Sequence, residues 1–239
     1  MTVLVLAGTS EARQLVTALV DQGVDVVASL AGRTALATPL PCETRVGGFG
    51  GVEGLVRELR ERHVTALVDA THPFADEMPL HARDAAAIAG VPHVRLVRPA
   101  WLPGDGDAWL EVDDVHEAAR TLPSHGRVLL ALGRMELDAF RSLGDVALVV
   151  RAVEEPPPGP WDAVVLARGP FAYDDERALL TEHRIDTVVL RNSGGSRGLL
   201  DAARDAGDVR AVVIRRPSMP PLPTVAEVEA AVDWVQRTQ

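Results

Sequence analysis

Lysine is absent from the 239-residue chain, and all 24 positively charged side chains are arginine. Anion recognition and a compositional bias of the source genome both fit this, the bias being the blander reading, and no function is read from it. Cysteine is nearly absent. Cys42 stands alone, which excludes an intrachain disulfide and any cysteine cluster for a metal. The seven histidines show neither an HExxH pattern nor paired-ligand spacing, so no metal site is expected. Long hydrophobic runs are missing as well. The apolar stretch near the N-terminus is too short for a bilayer and has no basic leader, which predicts neither a secretory signal nor a membrane helix and places the protein in the cytoplasm. Positive charge is outnumbered: the net charge is −10, and no basic run interleaved with aromatics offers a surface to a nucleic acid. Aromatic residues make up only 4 % of a chain that is 47 % hydrophobic, a balance that suits parallel strands covered on both faces by helices better than a β-sandwich.

What is present is a rhythm. Short β-branched runs at 3–7, 24–30, 44–46, 65–70 and 93–97 alternate with segments of helical spacing, such as Glu11 to Asp21 with its stop at Gln22 and Gly23. Such alternation means βαβ units and a parallel sheet, an α/β fold. After the Pro, Gly and Asp-rich segment 98–107 the rhythm restarts with strands at 108–112, 128–132, 146–150, 163–167, 187–191 and 211–215, then an amphipathic helix from about Thr224 to Arg237. Eleven strands exceed what one sheet usually carries. Two Rossmann-like parallel-sheet domains follow, residues 1–102 and 103–239, with an interdomain cleft and a hinge near 98–107; EEPPPGP at 154–160 reads as a stiff spacer.

Ligands of open parallel sheets sit beyond the carboxyl ends of the strands. At the first such corner Gly8, Thr9 and Ser10 precede a helix whose start favours a phosphate, although Ser10 as N-cap explains the same letters. At the second, Ser29, Gly32 and Arg33 stand where NAD-binding sheets place an acid, a pattern that suits NADP. The third, VGGFGG at 46–51, gathers Gly47, Gly48, Gly50 and Gly51 around Phe49, either as left-handed turns before a helix near Glu53 or as main chain pressed against a ligand. The fourth, DATHPFAD at 69–76, sets Thr71, His72, Pro73 and Phe74 just past a buried strand. His72 is a candidate proton relay, with a hydrogen-bonded structural histidine as the alternative.

Taken together, LAGTSEAR (6–13), SLAGR (29–33), VGGFGG (46–51) and DATHPFA (69–75), followed by LGRMELDAF (132–140), ARGPF (167–171), RNSGG (191–195) and IRRP (214–217), closely resemble the precorrin-6A reductase family of cobalamin biosynthesis, including its cobalt-precorrin-6A counterparts. The resemblance spans almost the whole chain. It implies an NADPH-dependent oxidoreductase that reduces one carbon–carbon double bond of a large acidic tetrapyrrole, with the coenzyme in the cleft and chiefly on the first domain. Carried over by residue, it assigns coenzyme binding to Gly8, Thr9, Ser10, Ser29, Gly32, Arg33, Gly48, Thr71, His72, Pro73 and Phe74. It sets Arg134, Asn192, Ser193, Gly194, Gly195 and Arg197 toward the substrate.

One departure accompanies it. Many relatives carry Lys where Arg191 stands and another shortly past the double glycine, whereas here the loop SRGLL (196–200) is short and Arg197 is the nearest cation. A guanidinium stays protonated and does not replace a lysine as a proton donor. Arg134 and Arg197 are expected to pair with substrate carboxylates, surface ion pairing to Asp or Glu being the alternative for each. Two other classes fit parts of the pattern: a two-domain transferase using a nucleotide sugar or S-adenosylmethionine, and a non-enzymatic metabolite sensor. The oligomeric state is not readable, and a monomer is compatible with the sequence.

Overall fold

The computed structural model describes residues 2–32 and 39–238. In chain order the elements are β1 (Thr2–Ala7), α1 (Ser10–Asp21), β2 (Asp25–Leu30), β3 (Glu43–Val46), α2 (Val52–Glu61), β4 (Val64–Ala70), α3 (Met78–Ala89) and β5 (His93–Leu96). There follow β6 (Trp109–Val112), α4 (Val115–Thr121), β7 (Gly126–Ala131), a 3-10 helix over Arg134–Phe140, β8 (Val146–Ala152) and β9 (Trp161–Leu166). The chain ends with α5 (Tyr173–Glu182), β10 (Thr187–Arg191), α6 (Gly198–Ala206), β11 (Arg210–Ile214), β12 (Thr224–Val225) and α7 (Val228–Arg237).

These elements form two compact units, one of residues 1–99 with 217–239 and one of residues 100–216. The first holds a six-stranded parallel sheet in the order β12-β5-β4-β1-β2-β3. Alternation along β1 sends Val3, Val5 and Ala7 into the core shared with Leu15 and Leu19 of α1 and Val232 and Val235 of α7. Leu4 and Leu6 enter the opposite core, with Leu55 and Leu59 of α2 and Ala82 and Ala85 of α3. Burial on both faces is why the run at 3–7 is continuously apolar. The second unit is again a six-stranded parallel sheet, in the order β6-β11-β10-β7-β8-β9. Its side of α5 and α6 is filled by Leu180, Leu199, Leu200 and Ala203 against Leu129, Val149 and Val188. No helix among the described residues is long and apolar enough to cross a membrane.

Three sequence expectations differ from the structure. The units do not follow a single boundary at 102/103: the chain passes into the second unit at 99/100 and returns at 216/217. The return is driven by burial, because Ala231 and Val235 of α7 are wholly enclosed in the first core. The terminal helix also begins later than Thr224. Residues 224–225 extend the first sheet instead, where the free edge of β5 accepts them: Arg95 N–H donates to Pro223 O at 2.8 Å and Val97 N–H to Val225 O at 3.0 Å. Finally, Thr9 and not Ser10 caps α1. Thr9 is extended, with φ −131°, and its hydroxyl accepts from Ala12 N–H at 3.1 Å, while Ser10 is the first helical residue.

Candidate functional site

In the first sheet β1 lies between β2 and β4, so the carboxyl ends of β1 and β4 open side by side. Gly8 and Thr9 leave one end and Thr71 and His72 the other. The Thr9 hydroxyl donates to Ala70 O at 3.1 Å, joining the two loops. Gly8 is exposed, and a Cβ placed on it meets only His72 N at 3.6 Å and Thr71 Cα at 3.7 Å, ordinary contacts. The neighbouring protein therefore does not demand a glycine here; the missing side chain leaves room beside the head of α1, whose first N–H groups carry partial positive charge.

Charge around this corner is balanced. Glu11, in the first turn of α1, would oppose an anion, but Arg98 Nη1 donates to both of its carboxylate oxygens at 2.8 Å. Burial pushes the Glu11 carboxyl up; the Arg98 hydrogen bond and the local backbone and Ser10 contacts outweigh it and hold it below the ordinary range.

At the end of β2, Ser29 is buried, and its hydroxyl accepts from Arg45 Nη1 at 2.8 Å. Arg45 follows from register, since Ser29 pairs with Arg45 across β2 and β3. The same guanidinium donates to Gly47 O at 3.0 Å and Gly48 O at 3.1 Å, lies 3.6 Å from Glu58 and covers the Phe49 ring at 3.9 Å. Gly32 is exposed with φ +75°, and Arg33 lies outside the described residues. In the third corner Gly47, Gly50 and Gly51 have φ of +117°, +79° and +88°, so turn geometry accounts for three of the four glycines there. Gly48 is exposed, with nothing within 4 Å of a Cβ.

The fourth corner is a tight turn. Ala75 N–H donates to His72 O at 2.7 Å, and Phe74 N–H donates to His72 Nδ1 at 3.2 Å. Because Nδ1 accepts, the neutral ring carries its proton on Nε2. Pro73 is buried, and the half-buried Phe74 ring lies 5.9 Å from the His72 ring. Thr71 donates through its amide at 3.0 Å and its hydroxyl at 2.6 Å to Asp69 Oδ1. Sequence reasoning missed Asp69, Arg95 and Arg45. The signal was present for the first two, as charged letters inside strands that are otherwise apolar.

In the second unit the expected substrate residues divide. Asn192 is buried and spends its amide internally, accepting from Trp101 N–H at 2.8 Å and donating to Trp101 O at 2.9 Å. Arg197 is likewise committed, to Asp107 at 2.7 Å, Leu102 O at 2.8 Å and Asp201 at 3.4 Å. Burial raises the Asp107 carboxyl, but the Gly104 N–H and the Arg197 guanidinium outweigh it and hold it low. Ion pairing within the protein, the alternative reading, thus describes Arg197. Gly194 and Gly195 turn with φ of +72° and +83°, and Gly195 O takes the Trp101 indole N–H at 2.9 Å. Ser193 is half-buried in this turn. Arg134 is exposed, with no ion pair among the described residues.

Comparison with known proteins agrees across the full length. Residues 2–236 match the family described as Precorrin-6x reductase CbiJ/CobK. The chain is 45 % identical to a precorrin-6A reductase of Rhodococcus erythropolis, covering 98 % of this chain and 96 % of that protein. It is 42 % identical to the precorrin-6A reductase of Mycobacterium tuberculosis, with 98 % and 96 % covered. A cobalt-precorrin-6A reductase of Priestia megaterium is 30 % identical, with 91 % of each covered. Among solved structures, a CobK precorrin-6A reductase superposes with TM-score 0.93 at 39 % identity, over 100 % of this chain and 97 % of that one. The chain belongs to the precorrin-6x reductase (CbiJ/CobK) family.

Proposed function

We propose that this chain is the NADPH-dependent reductase of precorrin-6A, reducing one carbon–carbon double bond of the macrocycle. Identities of 40–45 % to precorrin-6A reductases against 27–30 % to cobalt-precorrin-6A reductases favour the metal-free substrate. The observation that carries the coenzyme assignment is the open first corner: an exposed Gly8 at the head of α1, with the nearby Glu11 carboxylate already matched by Arg98.

The residues present fit a dinucleotide. Gly8, Thr9 and Ser10 would hold its pyrophosphate at the helix start. Ser29, Gly32 and Arg33, a strand tip whose letters include no acid, would receive the ribose that bears the extra phosphate, with Arg45 behind Ser29. Gly48 and the turn of Thr71, His72, Pro73 and Phe74 would line the remainder. When bound, the reduced nicotinamide supplies the hydride.

The protein orients and balances charge. His72, with its proton on Nε2, is the proposed proton relay, competing with water. Arg134 has the free fork to pair with a substrate carboxylate; Arg197 does not. Gly194, Gly195, Ser193 and Asn192 shape the turn that anchors Trp101, so their part in substrate binding is through shape. A polycarboxylate meeting a chain of net charge −10 depends on local arginine, so its affinity falls with salt.

Titration with NADPH, NADH and S-adenosylmethionine tests the assignment. Nicotinamide fluorescence should report NADPH binding at least about tenfold tighter than NADH, the value of one lost phosphate contact. Preferential binding of S-adenosylmethionine would return the transferase reading, and NADPH binding without turnover of precorrin-6A would return the sensor. His72→Ala should lower kcat at saturating NADPH; unchanged turnover removes His72 from the mechanism.

A further inference from the structure

The geometry points to Asp69 and Arg95 as positioning residues: a buried ion pair that holds the Thr71–His72 turn against Gly8 and ties that turn to the chain segment returning at Pro217. The inference rests on reading the first corner as the NADPH site.

Asp69 is 0 % exposed and Arg95 8 % exposed, and they face each other across β4 and β5, in register. Two charges so placed cost desolvation that an ion pair repays only with good geometry, and apolar residues of similar size often serve stability as well or better. The geometry here is not saturated. Arg95 Nε lies 3.4 Å from Asp69 Oδ2, yet neither of these atoms, nor Arg95 Nη2, completes a hydrogen bond among the described residues. Stability alone gives weak reason for such a pair.

Its contacts give a better one. Asp69 Oδ1 takes both the amide and the hydroxyl of Thr71, and the next atoms along the chain, Thr71 Cα and His72 N, are those that border Gly8. Arg95 reaches the other way. Its Nη1 contacts Met219 Sδ at 3.1 Å, and its backbone N–H donates to Pro223 O at 2.8 Å. His93, two residues earlier on β5, is held toward its neutral form: burial disfavours its imidazolium, and Arg95 adds to this against the pull of Asp69. One path of contacts therefore runs from Met219 through Arg95 and Asp69 to the wall of the coenzyme corner.

The test uses Asp69→Asn, the charge-neutral double variant Asp69→Asn/Arg95→Met, and Met219→Leu in the full chain. Asp69→Asn should raise the KM for NADPH about tenfold, the worth of one charge-assisted hydrogen bond, and leave the KM for precorrin-6A unchanged. The double variant, which buries no unpaired charge, should recover the melting temperature without recovering the NADPH KM. Met219→Leu conserves volume and folding, and should raise that KM about twofold, since a thioether is a weak acceptor. Recovery of affinity together with stability in the double variant, or an NADPH KM unchanged in all three, overturns the positioning role. Failure of the unaltered protein to bind NADPH is a separate result, which overturns the reading of the corner and the inference with it.

Discussion

β1 in the first sheet and β7 in the second hold the same place, each flanked by the next strand of its own half on one side and, on the other, by the strand three further along. Their carboxyl ends are nevertheless built differently. After β1 the chain offers an exposed glycine and a helix start capped by a threonine hydroxyl. After β7 it enters a 3-10 helix, and Gly133 N–H is taken at 2.8 Å by the carboxylate of Glu136, which Arg191 approaches at 3.6 Å. An internal anion thus occupies the second sheet's counterpart of the Gly8 corner. The other corners diverge in the same sense. Ser29 and Arg45 stand at the end of β2, whereas the exposed Glu154 and Glu155 follow β8; and where β4 leads to Thr71 and His72, β10 leads to an Asn192 already spent on Trp101. Two sheets that share the order of five strands, and differ in which end of the chain supplies the sixth, teach that the strand order supplies a place for a ligand, and side chains at the corners decide whether it is open.

The comparison breaks most easily at Gly8. Gly8→Asp should fold, because its Cβ meets only ordinary contacts, and should weaken NADPH by more than about a hundredfold, roughly 2.8 kcal/mol. Glu136→Gln, the matching change in the second sheet, should leave NADPH affinity as it is. Equal effects in the two titrations would remove the distinction between the corners, and a loss at Glu136 alone would move the site to the second sheet.

A smaller loss is expected at Asn192. Asn192→Ala strips Trp101 of a donor and an acceptor and should lower stability by about 2 kcal/mol, read as a shifted denaturant midpoint with NADPH affinity unchanged. Arg45→Ala should act in the opposite way, narrowing the preference for NADPH over NADH by about tenfold through the released Ser29 corner, with little change in kcat.

The smallest effect concerns acid. Glu11 is held below the ordinary carboxylate range in the folded state, so its pair with Arg98 contributes fully above that range and is lost as pH falls from there through the lowered value of the folded state. The melting temperature of the unaltered protein should therefore decline more steeply on acidification than that of Glu11→Gln, by an amount worth less than about 1 kcal/mol.

Much of this was visible in the letters. The runs VLVLA, VDVVASL and TALVDA are strands because sheets covered on both faces need continuous apolar residues, and Gln22 and Gly23 end α1 where expected, with Gly23 N–H on Val20 O at 2.9 Å. The exposed Gly8, the left-handed Gly32 and the His72 turn were equally legible, since glycine at a corner and Pro after His constrain the backbone locally. Arg45 was not. Nothing local to residues 44–46 says that pairing of β3 with β2 will bring Ser29 beside it.

The sequence by itself determined the α/β class, the strand positions and the corners that merit inspection, because hydrophobic period and turn chemistry are local properties. Only the tertiary structure decided which arginines remain free. It spends Arg197 on Asp107, places Arg45 behind Ser29, buries Arg95 against Asp69 and returns residues 217–239 to the first sheet. Those outcomes depend on which distant charges and free strand edges meet once the cores have closed, and that is information carried by the fold as a whole.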